Sequence, residues 1–167
     1  MAAGSSSERR VKGVGARTIR AARGRQELND QCRTEVVELH EFFADWFNGV
    51  LADTDDVFDR FASVMVEEFV ILSPEGRSCG RTELLSRLRA AHGCHGQSGD
   101  AIRIRIDNYT HRVTEASISV ATYEEWQEIG ESSRGRLSTA VFRKRADAPN
   151  GVEWLHLHEV WLPRAAS

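Results

Sequence analysis

His156 and His158 stand two apart in the run VEWLHLHEVWLP, so on an extended strand their imidazoles share a face. Two imidazoles side by side can form an acid–base pair or supply two metal ligands. They can equally be polar residues on the outer or interface side of a sheet. Leu155 and Leu157 alternate with them and have the better claim to the core. On that register Glu159 and Trp161 share the leucine face and reach into whatever the sheet encloses. A carboxylate in an apolar enclosure has a raised pKa and can act as a general base or hold a ligand's basic group. An ion pair with an arginine such as Arg143 on the neighbouring strand is the structural alternative. The catalytic candidates are therefore Glu159, His158 and His156. Tyr109, Tyr123, Trp126 and Trp161 lie on or near long strands and offer a ligand stacking and hydrogen-bonding surface, with Arg143 as a charged partner.

His92-Gly93-Cys94-His95 places three metal-binding side chains within four residues. Zinc needs a fourth ligand and a fixed loop, and Gly93 and Gly96 deny this segment rigidity, so no metal is expected. No Ser-His-Asp set, phosphate loop or dinucleotide fingerprint is present, and no cofactor is expected.

The candidate strand ends a series of alternating runs. Arg136–Arg145 and Val152–Pro163 flank the turn ADAPNG, which makes a long hairpin. Before it come Ala101–Val113, where Ile102, Ile104 and Ile106 alternate with Arg103, Arg105 and Asp107, and Ser117–Glu128. Glu68–Ser73 is a near-continuous apolar run, read as a strand buried on both sides, with Arg77–Gly80 as its short return. Three helical patterns precede or interrupt these strands. In Asp30–Leu51, Val36, Leu39, Phe43, Trp46, Phe47 and Val50 form one stripe. A short helix follows the capping oxygens of Asp53-Thr54-Asp55-Asp56, and a third carries Leu84, Leu85, Leu88 and Ala91 after Thr82. The result is an α+β domain over 30–163: a cone-shaped, strongly curved antiparallel sheet of about six strands, covered on one face by three helices. Such a cone leaves a mouth suited to a small hydrophobic or polar metabolite.

Composition sets the outer limits. With 41% hydrophobic and 28% charged residues the chain is of the soluble globular type, and no apolar run approaches the roughly 20 residues that span a bilayer. Seven of the 22 Lys/Arg and two of the 25 Asp/Glu lie in residues 1–29, leaving fifteen basic and twenty-three acidic residues beyond. An acidic body argues against a nucleic-acid partner, and nothing points to a membrane. Residues 1–29 are poor in large apolar side chains and read as a disordered basic tail; an organelle transit peptide and a basic arm for an acidic partner are the other readings. Residues 164–167 form a short second tail. Three cysteines without paired spacing fit a reducing compartment, the cytoplasm.

Three stretches carry a family resemblance. FVILSPEGRSCG over 69–80, the Arg-x-Ser-Thr-x-Val opening of 136–145, and His156-Leu157-His158-Glu159 before Trp161-Leu162-Pro163 together resemble the nuclear transport factor 2-like superfamily. Within it the chain is similar to the SnoaL-like branch and to the association domain of calcium/calmodulin-dependent kinase, over about residues 34–163. The resemblance implies the cone fold, a homodimer through the exposed face of the long strands, and one of two functions. One is small-molecule binding of unknown specificity, with SnoaL-like isomerase, cyclase or hydratase chemistry as its catalytic form. The other is a non-catalytic dimerisation or association domain.

Overall fold

The computed structural model describes the backbone of residues 6–96 and 99–163, with side chains from residue 19 onward. Three helices, α1 (Ser6–Phe47), α2 (Asp55–Ala62) and α3 (Arg81–Ala90), pack with six strands: β1 (Met65–Leu72), β2 (Ser78–Gly80), β3 (Ile102–Glu115), β4 (Ile118–Ile129), β5 (Ser132–Lys144) and β6 (Val152–Trp161). The strands form one open sheet in the order β2-β1-β6-β5-β4-β3. The expected curved α+β sheet with its helical cover is present. Its pairings are antiparallel except β1–β6, which run parallel. The chain can join β1 to a parallel partner because the whole of β2–β5 intervenes.

Two features bend the sheet. The β3–β4 register shifts between Asp107 and Thr110 and again between His111 and Val113, where Asn108 adopts a φ of 51°. The β5–β6 register shifts between Val141 and Phe142, so that Phe142 faces Trp154 and Val141 faces His156. Leu155 is the extra residue. Such bulges increase local twist and curl strands around the packing helix.

The core lies between this inner surface and α1. Leu28, Cys32, Val36, Leu39 and Trp46 are buried along one stripe of α1, against Tyr123, Ala140, Phe142 and Trp154. Thr54 caps α2 through Val57 N at 3.4 Å. Gly49, at φ 70°, ends α1 with Val50 N bonded to Asp45 O at 2.9 Å. A Cβ on Gly49 would lie 3.2 Å from the Gly93 Cα, so this glycine also lets the loop after α3 approach the end of α1.

Some local expectations are corrected. β1 begins three residues earlier than its apolar run, Glu67 and Glu68 are exposed and only Met65 and Phe69 are buried, so the strand is not buried on both sides. Its edge partner β2 has three residues and gives little cover. Gly80, not Thr82, precedes the first turn of α3, with no side-chain cap. The helix α1 starts at Ser6 and so runs through most of the basic stretch 1–29. Ala, Arg, Gln and Glu are good helix formers, while residues 19–27 remain exposed. Among the residues whose side chains are described, burial starts at Leu28, while Ile19 is exposed. Residues 1–5 and the tail 164–167 lie outside the described residues. Among the described residues, no helix is long and apolar enough to cross a membrane.

Candidate functional site

Alternation on β4 and β5 sends Tyr123, Glu125 and Gln127, and Arg136, Ser138 and Ala140, to the inner face. On β6 the Leu155 bulge resets the alternation. Trp154 lies inside, and beyond the bulge so do Leu157, Glu159 and Trp161. Without it, Trp154 would share the face of His156 and His158. The inner face and the helices enclose a cavity of about 660 Å³. Its walls are apolar, with Phe43, Phe47, Phe61, Ile104, Leu84 and Leu157 among them. One end is polar.

That end is a buried charge cluster. Glu125 is 2% exposed and Glu159 is 3% exposed, and the Arg136 guanidinium lies against both. Arg136 Nε donates to Glu125 Oε2 at 3.0 Å, Nη2 donates to Oε1, and Nε stands 3.1 Å from Glu159 Oε1. Gln127 Nε2 donates to Glu125 Oε1 at 2.9 Å. His40, from α1, meets Glu125 Oε2 through Nε2 at 3.2 Å and the Val36 carbonyl through Nδ1 at 2.6 Å. A carbonyl only accepts, so Nδ1 is the nitrogen that donates to Val36.

The two carboxylates thus differ. Burial raises both. For Glu125 the adjoining His40 and Arg136 outweigh burial and hold its carboxyl well below the usual range. Glu159 has one grip on the guanidinium and faces the Glu125 charge; burial, opposed by Arg136 and abetted by Glu125, pushes it up to about 7. Arg136, although burial disfavours its charge, is held firmly protonated by Glu125 and Glu159. Beside them Tyr123 is fully buried, its ring edge-on to His40 at 5.4 Å between centroids, and burial pushes its phenol well up. The hydroxyls of Tyr123 and Ser138 have no hydrogen-bond partner among the described residues.

At the mouth, Trp161 Nε1 donates to Glu75 in the β1–β2 turn at 3.0 Å, and the Arg134 guanidinium lies 3.3 Å from the indole centroid. Glu75, Arg77, Glu83 and Arg87 complete the rim.

Of the residues singled out in the sequence, the structure brings Glu159 and Trp161 to the cavity and Tyr123 beneath it. It does not bring the others. His156 is half-buried and His158 exposed, on the opposite face. Trp126 is also on that face, with Arg105 over its ring at 5.8 Å. Tyr109 donates to the Asn29 side chain at 3.2 Å, away from the cavity. Arg143 pairs with Glu153, so the partner of Glu159 is Arg136 instead. His92 bonds the Leu51 carbonyl at 2.8 Å and packs on Trp46, while Cys94 is exposed. Sequence reasoning missed His40, Glu125 and Gln127. For the last two a signal existed: both share the parity of Tyr123 on an alternating strand. His40 had none, since it borders the α1 stripe and only α1 packing on β4 reveals it.

Comparison with known proteins agrees with this architecture. Residues 32–163 match the family described as sucrose-6-phosphate phosphohydrolase C-terminal. Sucrose-phosphatase 1 of Nicotiana tabacum is 24% identical over 134 residues, covering 80% of this chain but 31% of that protein. The chain thus spans about a third of the length of the curated relatives it matches. Among solved structures, a nuclear transport factor 2-like protein of unknown function from Pseudomonas aeruginosa superposes with a TM-score of 0.69 at 24% identity, covering 80% of this chain and 99% of that one. The calcium/calmodulin-dependent kinase II hub of S. rosetta gives 0.58 at 13% identity, covering 80% and 95%. The fold is that of the nuclear transport factor 2-like superfamily.

Proposed function

The chain belongs to the sucrose-6-phosphate phosphohydrolase C-terminal family, and from that premise we propose that it is a small-molecule-binding domain whose guest occupies the cone. One observation supports this above the rest: two buried carboxylates and the half-buried Arg136 that they share lie at the inner end of a cavity of about 660 Å³, where they face the enclosed volume. Desolvating such a trio costs several kcal/mol per ion, and apolar residues of similar size would stabilise the fold as well or better. A ligand that spends the cluster's remaining hydrogen bonds explains its retention.

In this reading Glu159 anchors the ligand, Arg136 holds Glu159 in place, and Trp161 borders the entrance. Isomerase, cyclase or hydratase chemistry would run through Glu159, the group at the floor placed to exchange a proton with a guest. His156 and His158 take no part in it. Free Cys32, Cys79 and Cys94 favour a reducing, cytoplasmic setting. A thermal-shift screen of metabolites against the wild-type chain and Leu84→Trp, which fills the cavity from α3, tests the reading. Ligands should raise the melting temperature of the wild type and leave the variant unmoved. Equal shifts in both proteins would place binding elsewhere.

A second reading, a homodimer, has its own support. Leu137 and Val160 are cross-strand partners on the outer face, exposed by 37% and 45%. With Trp126 on the same face they offer an apolar patch to a second copy. Sedimentation at micromolar concentration tests it; a monomer would sink it.

A further inference from the structure

The chemistry of the cavity identifies the class of guest, an inference that rests on the binding function proposed above. The walls offer a ligand contact without hydrogen bonds: Phe43, Phe47, Phe61, Ile104, Leu84 and Leu157 come from two helices, α3 and two strands. Polar side chains line the rim and the floor, and those at the floor are the ones buried beneath the apolar walls. Glu125 is spent on Arg136, His40 and Gln127. What remains, among the described residues, is Nη1 of Arg136, the Gln127 carbonyl and Oε2 of Glu159. These are one cationic donor, one neutral acceptor and one carboxyl oxygen, set side by side.

Charge narrows the choice. An anionic head would gain Arg136 but sit against Glu159 and Glu125; a cationic head would gain Glu159 but sit against Arg136. A neutral oxygen function that both accepts and donates satisfies the floor without introducing an unpaired charge. The rim gives no preference for anions, because Arg77 and Arg87 are matched by Glu75 and Glu83. A sugar phosphate fits badly. Its hydroxyls would be buried against the apolar walls without partners, and its phosphate would meet a rim whose lining carboxylates match its lining guanidiniums, with Arg134 held against Trp161.

We propose that the cone takes an amphipathic guest: a flat or compact apolar body held by the walls, and an uncharged hydroxyl or carbonyl head bound by Arg136, Gln127 and Glu159 at the floor. Fluorescence titration of the full chain with 1-hydroxypyrene, pyrene, pyrene-1-carboxylate and, as competitor, sucrose 6-phosphate tests this. The hydroxyl compound should bind at least tenfold more tightly than either pyrene or the carboxylate, and sucrose 6-phosphate should displace none of them. Glu159→Leu should bring 1-hydroxypyrene and pyrene to within twofold of each other while both still bind. Leu84→Trp should weaken all the pyrenes at least tenfold. Should that variant not fold, pyrene displacing 1-hydroxypyrene from the wild type shows that the two share one site. If sucrose 6-phosphate or the carboxylate is the preferred ligand, and Leu84→Trp weakens it, the guest class is wrong while the pocket stands. If no probe binds, or Leu84→Trp changes nothing, the pocket and the guest class fall together.

Discussion

Glu159 and His158 are neighbours in sequence and lie in different media. Glu159 is 3% exposed, points inward and shares Arg136 with a second carboxylate; His158 points outward into solvent. The same contrast holds across the sheet. The inner face carries few ionisable groups, with Glu125 and Glu159 buried and bonded, while the outer face leaves Leu137, Val160 and His158 exposed and Trp126 and His156 half-buried. One step along a strand changes a residue's surroundings from protein to water, and its electrostatics with it. Chemistry-bearing residue types are therefore a poor guide here. The histidine pair is the more conspicuous motif, and the carboxylate beside it has the stronger environment.

Substitutions on the two faces should separate accordingly. Arg136→Met has the largest expected effect, because it leaves Glu125 and Glu159 buried without their shared cation. A loss of about 3–5 kcal/mol is expected in urea unfolding at neutral pH. A loss below about 1 kcal/mol would mean that water reaches the cluster and that the two faces are less different than the burial says.

Glu159→Gln sharpens the contrast through pH. The carboxyl's native pKa of about 7 lies above its ordinary 4.5, so between these values the folded chain holds a proton that the unfolded chain has released. The stability associated with this group is then full below about 4.5, falls as pH rises towards 7 and stays low above it. Glutamine resembles the protonated form. The variant should match the wild type at pH 4.5 and be more stable by roughly 1–3 kcal/mol at pH 8. Equal stabilities at both pH values would show that Glu159 ionises normally. Glu125 behaves in the opposite sense: held low by His40 and Arg136, it contributes stability above its unfolded pKa and loses it only in strong acid.

On the outer face, Leu137→Glu with Val160→Glu sets like charges opposite each other and should weaken self-association at least tenfold in sedimentation. The monomer should lose little stability. The smallest effect belongs to the motif that looks most chemical. His156→Ala with His158→Ala should change unfolding free energy by no more than about 0.5 kcal/mol per site, and ligand affinity by less than twofold. A tenfold loss of affinity on removing the pair would invert the assignment of faces.

The order and type of the elements were legible in the sequence, because 3.6- and 2-residue periods record which side of a segment is apolar. The stripe from Val36 to Trp46, the alternation of Ile102 to Ile106 and the inward aim of Glu159 all follow from local spacing. The site was legible in part. Glu125 and Gln127 share a parity with Tyr123, yet glutamates and glutamines on a strand usually face water, so nothing local marked them as buried. Arg143 lies nearer Glu159 in sequence than Arg136 does, and only the β5–β6 register, which sets Ser138 opposite Glu159 and Arg136 opposite Trp161, brings the Arg136 guanidinium to Glu159.

By itself, then, the sequence determined the elements, the apolar stripe of α1 and the face on which Glu159 lies, since these depend on backbone geometry repeated over a few residues. The tertiary structure alone decided the parallel β1–β6 contact, the bulge at Leu155 that turns Trp154 inward, and the meeting of His40 with Glu125 across 85 positions. Those depend on which distant surfaces pack together, and hydrophobic burial, which drives that packing, has no direction to write into a local pattern.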